Sequence, residues 1–153
     1  MKLDKFDHKI LGLIQENNRT SQRELSDRVH LSPSAVNRRI AAMEEAGIIR
    51  ANVALVDPAK AGRPITIIVE VALESEKLEH FDAVKTRFLA CPEIQQIYYV
   101  TGEMDFVLIL TVADMAEYER LTRELFFAEG NVRRFRTLVV MDRAKVTLQV
   151  PIS

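Results

Sequence analysis

Only three residues separate Val29 from Pro33, and on each side of that gap lies a segment patterned as a short helix. Few folds accommodate so brief a joint. In the stretch 25–49, LSDRVHLSPSAVNRRIAAMEEAGII, Ser32 suits an N-cap, Pro33 the first helical position and Gly47 the point where a helix stops. At 100° per residue, Val36, Ile40 and Met43 of the predicted helix 33–46 form one stripe, while Ser34, Asn37, Arg38 and Ala41 face the other way. Upstream, Ser21 and Glu24 have capping-box spacing, and Leu25 with Val29 gives a two-turn helix its i, i+4 contact. Two such helices match helix-turn-helix geometry, in which the second lies in the DNA major groove. A capped helix on an ordinary protein surface is the competing account.

The residue types on the free face fit direct readout. Arginine pairs with guanine through two hydrogen bonds and asparagine with adenine, so Ser34, Asn37 and Arg38 are expected at base edges. Arg39 lies at the margin of the core stripe, where a long side chain would reach a phosphate, and Ser32 at the helix start completes the expected DNA-binding set. Bulk charge adds little: nine basic residues stand against seven acidic in the first fifty, and twelve against fifteen beyond. The DNA reading therefore rests on placement.

Ahead of this pair, Phe6, Ile10, Leu13 and Ile14 recur at helical spacing, with Asp4 and Asp7 where negative charge suits a helix N-terminus. After Gly47, the β-rich run Ile48 to Val56 predicts a linking strand able to pair with its own copy, and Ala61, Gly62, Arg63 and Pro64 a hinge. The second half reads strand, helix, strand, strand, helix, strand. Its strands are Ile65 to Leu73, Ile94 to Val100, Asp105 to Val112 and Val132 to Thr147; its helices carry Leu78, Phe81, Val84 and Phe88, then Met115, Tyr118, Leu121 and Leu125. The expected class is α+β: a helix-turn-helix domain (1–50), a linking strand and hinge (51–63), and a ferredoxin-like βαββαβ domain with a four-stranded antiparallel sheet (64–153).

In the third strand, Phe106, Leu108, Leu110 and Val112 point one way, yet Val107, Ile109 and Thr111 opposite are scarcely polar. Two helices cover one side of such a sheet, and a wet antiparallel face alternates toward polar residues. A second copy of the chain is thus expected on the other face, at about 25 cal/mol per Å² of apolar area buried.

Catalytic and metal chemistry finds no foothold. His8, His30 and His80 have no companion at ligand spacing, and Cys91, the single cysteine, leaves no intrachain disulfide or multi-cysteine zinc site. No nucleophile triad, phosphate loop or paired catalytic carboxylates can be assembled. No cofactor is expected. The charged opening and the lack of an apolar run of about 18 residues predict a cytoplasmic protein with no membrane partner.

The runs LDKFDHKILGLIQENNR, LSPSAVNRRIAAMEEAGII and VTGEMDFVLILTV closely resemble the Lrp/AsnC family of bacterial and archaeal transcription regulators across nearly the whole chain. The resemblance implies an N-terminal helix-turn-helix domain, a C-terminal domain that senses an amino-acid effector, and homodimers assembling into larger rings, often octamers. Gly102, Glu103, Met104 and Asp105 match the family's Gly-x-x-Asp loop. With Thr101 and, across the sheet, Thr137, they form the expected effector site, in which glycine-turn N–H groups suit a carboxylate and Asp105 an α-ammonium. A bare hairpin turn is the plainer account of the same residues. Two other functions share this architecture: an enzyme similar to siroheme decarboxylases, which would need histidines in the sensing half, and an architectural protein coating DNA with little base preference.

Overall fold

Asp4 begins the first helix by closing a reciprocal cap. Its carboxylate accepts from Phe6 N and Asp7 N at 2.8 and 3.0 Å, and Asp7 Oδ2 accepts from Asp4 N at 3.0 Å. The computed structural model describes residues 1–128 and 130–152, which form two units. In the first, α1 (Lys5–Glu16), α2 (Gln22–Val29) and α3 (Pro33–Glu45) bury Ile10, Leu25, Val29, Val36 and Met43 almost completely. Those are the residues whose helical spacing marked them as apolar stripes. Each contributes on the order of 1.5–3 kcal/mol by leaving water.

α3 ends in a Schellman arrangement. Ile48 N donates to Met43 O at 2.9 Å and Gly47 N to Glu44 O at 3.0 Å, which places Gly47 at φ +71°, a conformation glycine adopts without steric cost.

The second unit spans Val56–Ala144. β1 (Ile65–Leu73), α4 (Leu78–Leu89), β2 (Ile94–Tyr99), β3 (Phe106–Val112), α5 (Met115–Thr122) and β4 (Val132–Val139) follow the expected order. The strands lie β2-β3-β1-β4 with every neighbouring pair antiparallel. Both helices cover one face, where Ile67, Val69, Val71, Phe88, Phe106, Leu108 and Leu110 are sealed from solvent. α5 does not stop at Thr122 but widens into a π-helical turn, Arg123–Phe127, and Arg87 of α4 donates to Leu125 O at 3.1 and 2.7 Å. The last turn of that segment thereby gains a side-chain donor at a carbonyl.

Over Ile48 to Val56, where a linking strand able to pair with its own copy was expected, the single chain forms no ladder among the described residues, and Val53 and Leu55 are 72% and 82% exposed. One expectation is corrected. The last strand ends at Val139 rather than Thr147, because β4 is an edge strand whose one neighbour among the described residues, β1, begins at Ile65. Val140 N to Thr66 O, 2.9 Å, is the final rung. Residues 145–152, expected with the sensing domain, group with the first unit by contact. There Ile152 packs against the three-helix cluster, and the Gln15 side chain exchanges two hydrogen bonds with Val150.

Candidate nucleic-acid and ligand sites

The turn between α2 and α3 is held by one side chain. Ser26 donates its hydroxyl to Leu31 O while Leu31 N donates to Ser26 O, and His30 between them takes the left-handed conformation at φ +58°. This pins the start of α3. Ser32 caps that helix, accepting from Ala35 N at 3.2 Å, and its hydroxyl also meets Ser34 Oγ at 3.2 Å. The sequence marked Ser32 and Pro33 as the helix start; Ser26 went unnoticed, although a serine five residues before the second helix's first apolar neighbour has the reach for such a bond.

Ser32, Ser34, Asn37, Arg38 and Ala41 are all exposed and lie on the side of α3 away from Val36 and Met43. Arg38 has no ion-pair partner among the described residues. Arg39 behaves differently: its Nη1 donates to Asp7 Oδ1 at 2.8 Å and to Asp4 Oδ2 at 2.9 Å, and its guanidinium lies 5.4 Å from the Phe6 ring centre. The hydrogen bonds to Asp7 and then Asp4 raise its already high pKa. The residue expected at a phosphate is thus directed at α1.

In the second unit, Gly102 turns the β2-β3 connection at φ +113°. Asp105 is occupied within the fold: Oδ2 accepts from Leu73 N at 2.7 Å, its own N–H donates to Val71 O at 2.8 Å, and its carbonyl accepts from Val100 N. It fastens the hairpin to the end of β1. Thr137 does not join the loop. Its hydroxyl bonds Tyr118 of α5 on the helix-covered face, and burial raises the Tyr118 pKa.

The loop instead shares a cavity of about 120 Å³, lined by Glu103, Met104, Arg134, Phe135 and Arg136. Arg134 Nη2 is 3.7 Å from Glu103 Oε2, and Arg136 is paired with Glu70, whose carboxyl it holds below the usual range. Thr101, Gly102 and Glu103 are exposed, Met104 and Asp105 half-buried. A cation, an anion and apolar surface here lie within one small molecule's reach.

The sheet face away from the helices carries Ile68, Val107 and Ile109, all half-buried, with Tyr98 and Leu138 exposed at 48% and 44%. Val107 and Ile109 are apolar there as the third strand's sequence indicated, and Glu70 with Arg136 adds an ion pair to the same face. Cys91 donates to Glu93 Oε2 at 3.2 Å, and burial raises its thiol pKa away from nucleophilic use. His80 is exposed and bonds Ser75. Among the described residues no group of three or more histidine, cysteine or acidic side chains could hold a metal, and no helix is long and apolar enough to cross a membrane.

Two family models divide the chain much as its geometry does. Residues 3–50 match the winged helix-turn-helix DNA-binding model, and residues 66–150 the Lrp/AsnC ligand binding domain. The HTH-type transcriptional regulator y4tD of Sinorhizobium fredii is 45% identical, with all of this chain and 90% of that protein aligned. The leucine-responsive regulatory protein of Haemophilus influenzae is 37% identical over 95% of this chain and 87% of its own. Among solved structures, the complex of the Neisseria meningitidis transcriptional regulator NMB0573 with L-Met is similar, with a TM-score of 0.92 at 30% identity and coverage of 98% and 97%. With one model on the three-helix unit, the other on the sheet unit and relatives aligned over nearly their whole lengths, the chain belongs to the Lrp/AsnC family.

Proposed function

We propose that the protein is a sequence-specific, DNA-binding transcriptional regulator of the cytoplasm whose second unit binds an amino-acid effector. The carrying observation is the exposed face of α3, on which Ser34, Asn37 and Arg38 stand ready for base edges while Ser32 fixes the helix start. A relative named leucine-responsive and one bound to L-Met support the effector. In this chain Arg134 suits its carboxylate, Glu103 its ammonium, and Met104 with Phe135 an apolar side chain. Thr101, Gly102 and Asp105 shape the loop, Asp105 as a fastening rather than a ligand.

Assembly follows from the sheet. A second copy on the face of Ile68, Val107, Ile109 and Leu138 gives a homodimer, and dimers join into a higher ring, an octamer in the fullest form. A decarboxylase-like enzyme is not favoured, since His80 is the one histidine of the sensing half.

Selection of binding sites from a random-sequence DNA pool tests the reading. Wild type should enrich one motif, and Arg38→Ala should lose roughly 1–3 kcal/mol of discrimination at one base position. Enrichment of nothing by a protein that binds all DNA equally would make it an architectural coat instead.

A further inference from the structure

Asp4, the cap of α1, and Asp7 in its first turn both reach α3. Once Asp4 and Asp7 have capped α1 reciprocally, each keeps a carboxylate oxygen unused by the cap, and both oxygens converge on the same nitrogen, Arg39 Nη1. Asp7's side chain is only 3% exposed and Arg39's 26%. A buried carboxylate without its cation is strongly unfavourable, so Asp7 requires Arg39 where it stands. The Phe6 ring supports the guanidinium from the side.

We infer that Arg39 is a positioning residue for DNA reading: tied to Asp7 and Asp4, it fixes the roll of α3 about its own axis and thereby aims Asn37 and Arg38. It rests on the DNA-reading function proposed above. The geometry gives the reason. Arg38 and Arg39 are adjacent, so an inward anchor at one sets the direction of the other about 100° away. Side-chain tips stand roughly 5–6 Å from a helix axis, so a roll of about 20° moves them about 2 Å. A base-edge hydrogen bond of about 3 Å does not survive that displacement. A phosphate contact at the same position would act through charge alone and would be indifferent to Asp7.

The test uses the full chain, the motif selected by wild type, random DNA of equal length and a range of salt concentrations. Arg39→Met and Asp7→Asn change charge in opposite senses, yet both should lower affinity for the motif tenfold or more. Both should leave random DNA within about twofold and the salt slope unaltered, and Arg39→Lys should recover part of the loss. Circular dichroism and melting establish that each variant is folded at the binding temperature; if Asp7→Asn is not, Asp4→Asn, at the exposed half of the clamp, takes its place with a smaller loss.

Equal weakening of both DNAs by Arg39→Met, with the salt slope reduced by about one, would make Arg39 a phosphate contact and overturn the inference. So would Asp7→Asn that melts lower but discriminates as wild type does, since that is packing without aim. If wild type enriches no motif, it is the DNA-reading function that fails. The clamp is then judged by the double variant: melting shifts less than the sum of the singles are expected, and additive shifts would overturn it.

Discussion

The side-chain amide of Gln15 reads the backbone of Val150 in both directions, its Nε2 donating to Val150 O at 3.0 Å and its Oε1 accepting from Val150 N at 2.8 Å. Two residues on, Ile152 packs on the cluster built by Ile10, Leu13 and Met43. The chain's last described residues therefore belong to the three-helix unit in energy as well as in position.

Ending the chain at Gln149 should destabilise that unit by about 1–3 kcal/mol, the sum of two net hydrogen bonds and a partly buried isoleucine. Gln15→Ala should cost about 1 kcal/mol alone, because the Val150 backbone it abandons can turn to water. Native-state hydrogen exchange of the α1 amides is the measurement. Unchanged protection in the truncated chain would mean that the tail merely rests there.

His30 offers a sharper local test. At φ +58° it occupies a conformation that costs ordinary residues about 1–2 kcal/mol and suits a β-branched side chain worst. His30→Val should lower stability to urea by at least that amount, whereas His30→Gly should stay within about 1 kcal/mol of wild type. Equal losses in the two variants would place the histidine's value in its ring instead.

Acid should act through Glu117. Its carboxylate accepts from Ala113 N at 2.6 Å and from Arg63 at 3.1 Å, and Arg63 also donates to Thr111 O. The Ala113 bond first, then Arg63, holds the carboxyl below the usual glutamate range. A folded pKa below the unfolded one means stability that is present above the unfolded value, near pH 4.5, and lost as pH falls through the folded value. Melting temperatures of wild type should thus fall more steeply below about pH 4.5 than those of Glu117→Gln, which should be the weaker protein at pH 7. Asp4 and Glu70 are lowered too, so the comparison between the two proteins is what counts. Parallel curves would dismiss Glu117 as a source.

For the loop cavity, a thermal-shift screen of the twenty amino acids should show stabilisation by apolar or aromatic members. A ligand at a hundred times its dissociation constant adds about 2.7 kcal/mol. Arg134→Ala should abolish the response at little cost to the unliganded protein, while Asp105→Ala should lower basal stability by orphaning Leu73 N. A response that survives Arg134→Ala would move the site elsewhere.

What could be read from the sequence was whatever repeats with a period. The stripes of α1 and α3 and the alternation in β1 and β3 gave the elements, their order and the free face of α3. Arg39 sat at a stripe's edge, where angle alone permits either direction; the overlooked signal was Asp4 and Asp7, two acids needing a cation. Thr137 shares its parity with Phe135 and Val139, and that parity alone set it on the helix face beside Tyr118. The last strand was drawn to Thr147 although β4 ends at Val139. Alternation records which residues share a side, not whether a neighbouring strand is present to pair with them. The π-helical turn at Arg123–Phe127 has no period of its own to detect.

A unit assembled from residues 1–55 and the segment from Lys145 onward is not complete until everything between them has been synthesised. The three helices emerge first, and roughly ninety residues, about 5–20 seconds of synthesis at 5–20 residues per second, go by before the partner of Gln15 exists. A message broken within the sensing half, or a chain clipped there, yields a helix-turn-helix that lacks its closing segment and unfolds more readily. Completion of the reading head is thereby made to wait for the part of the protein that would govern it.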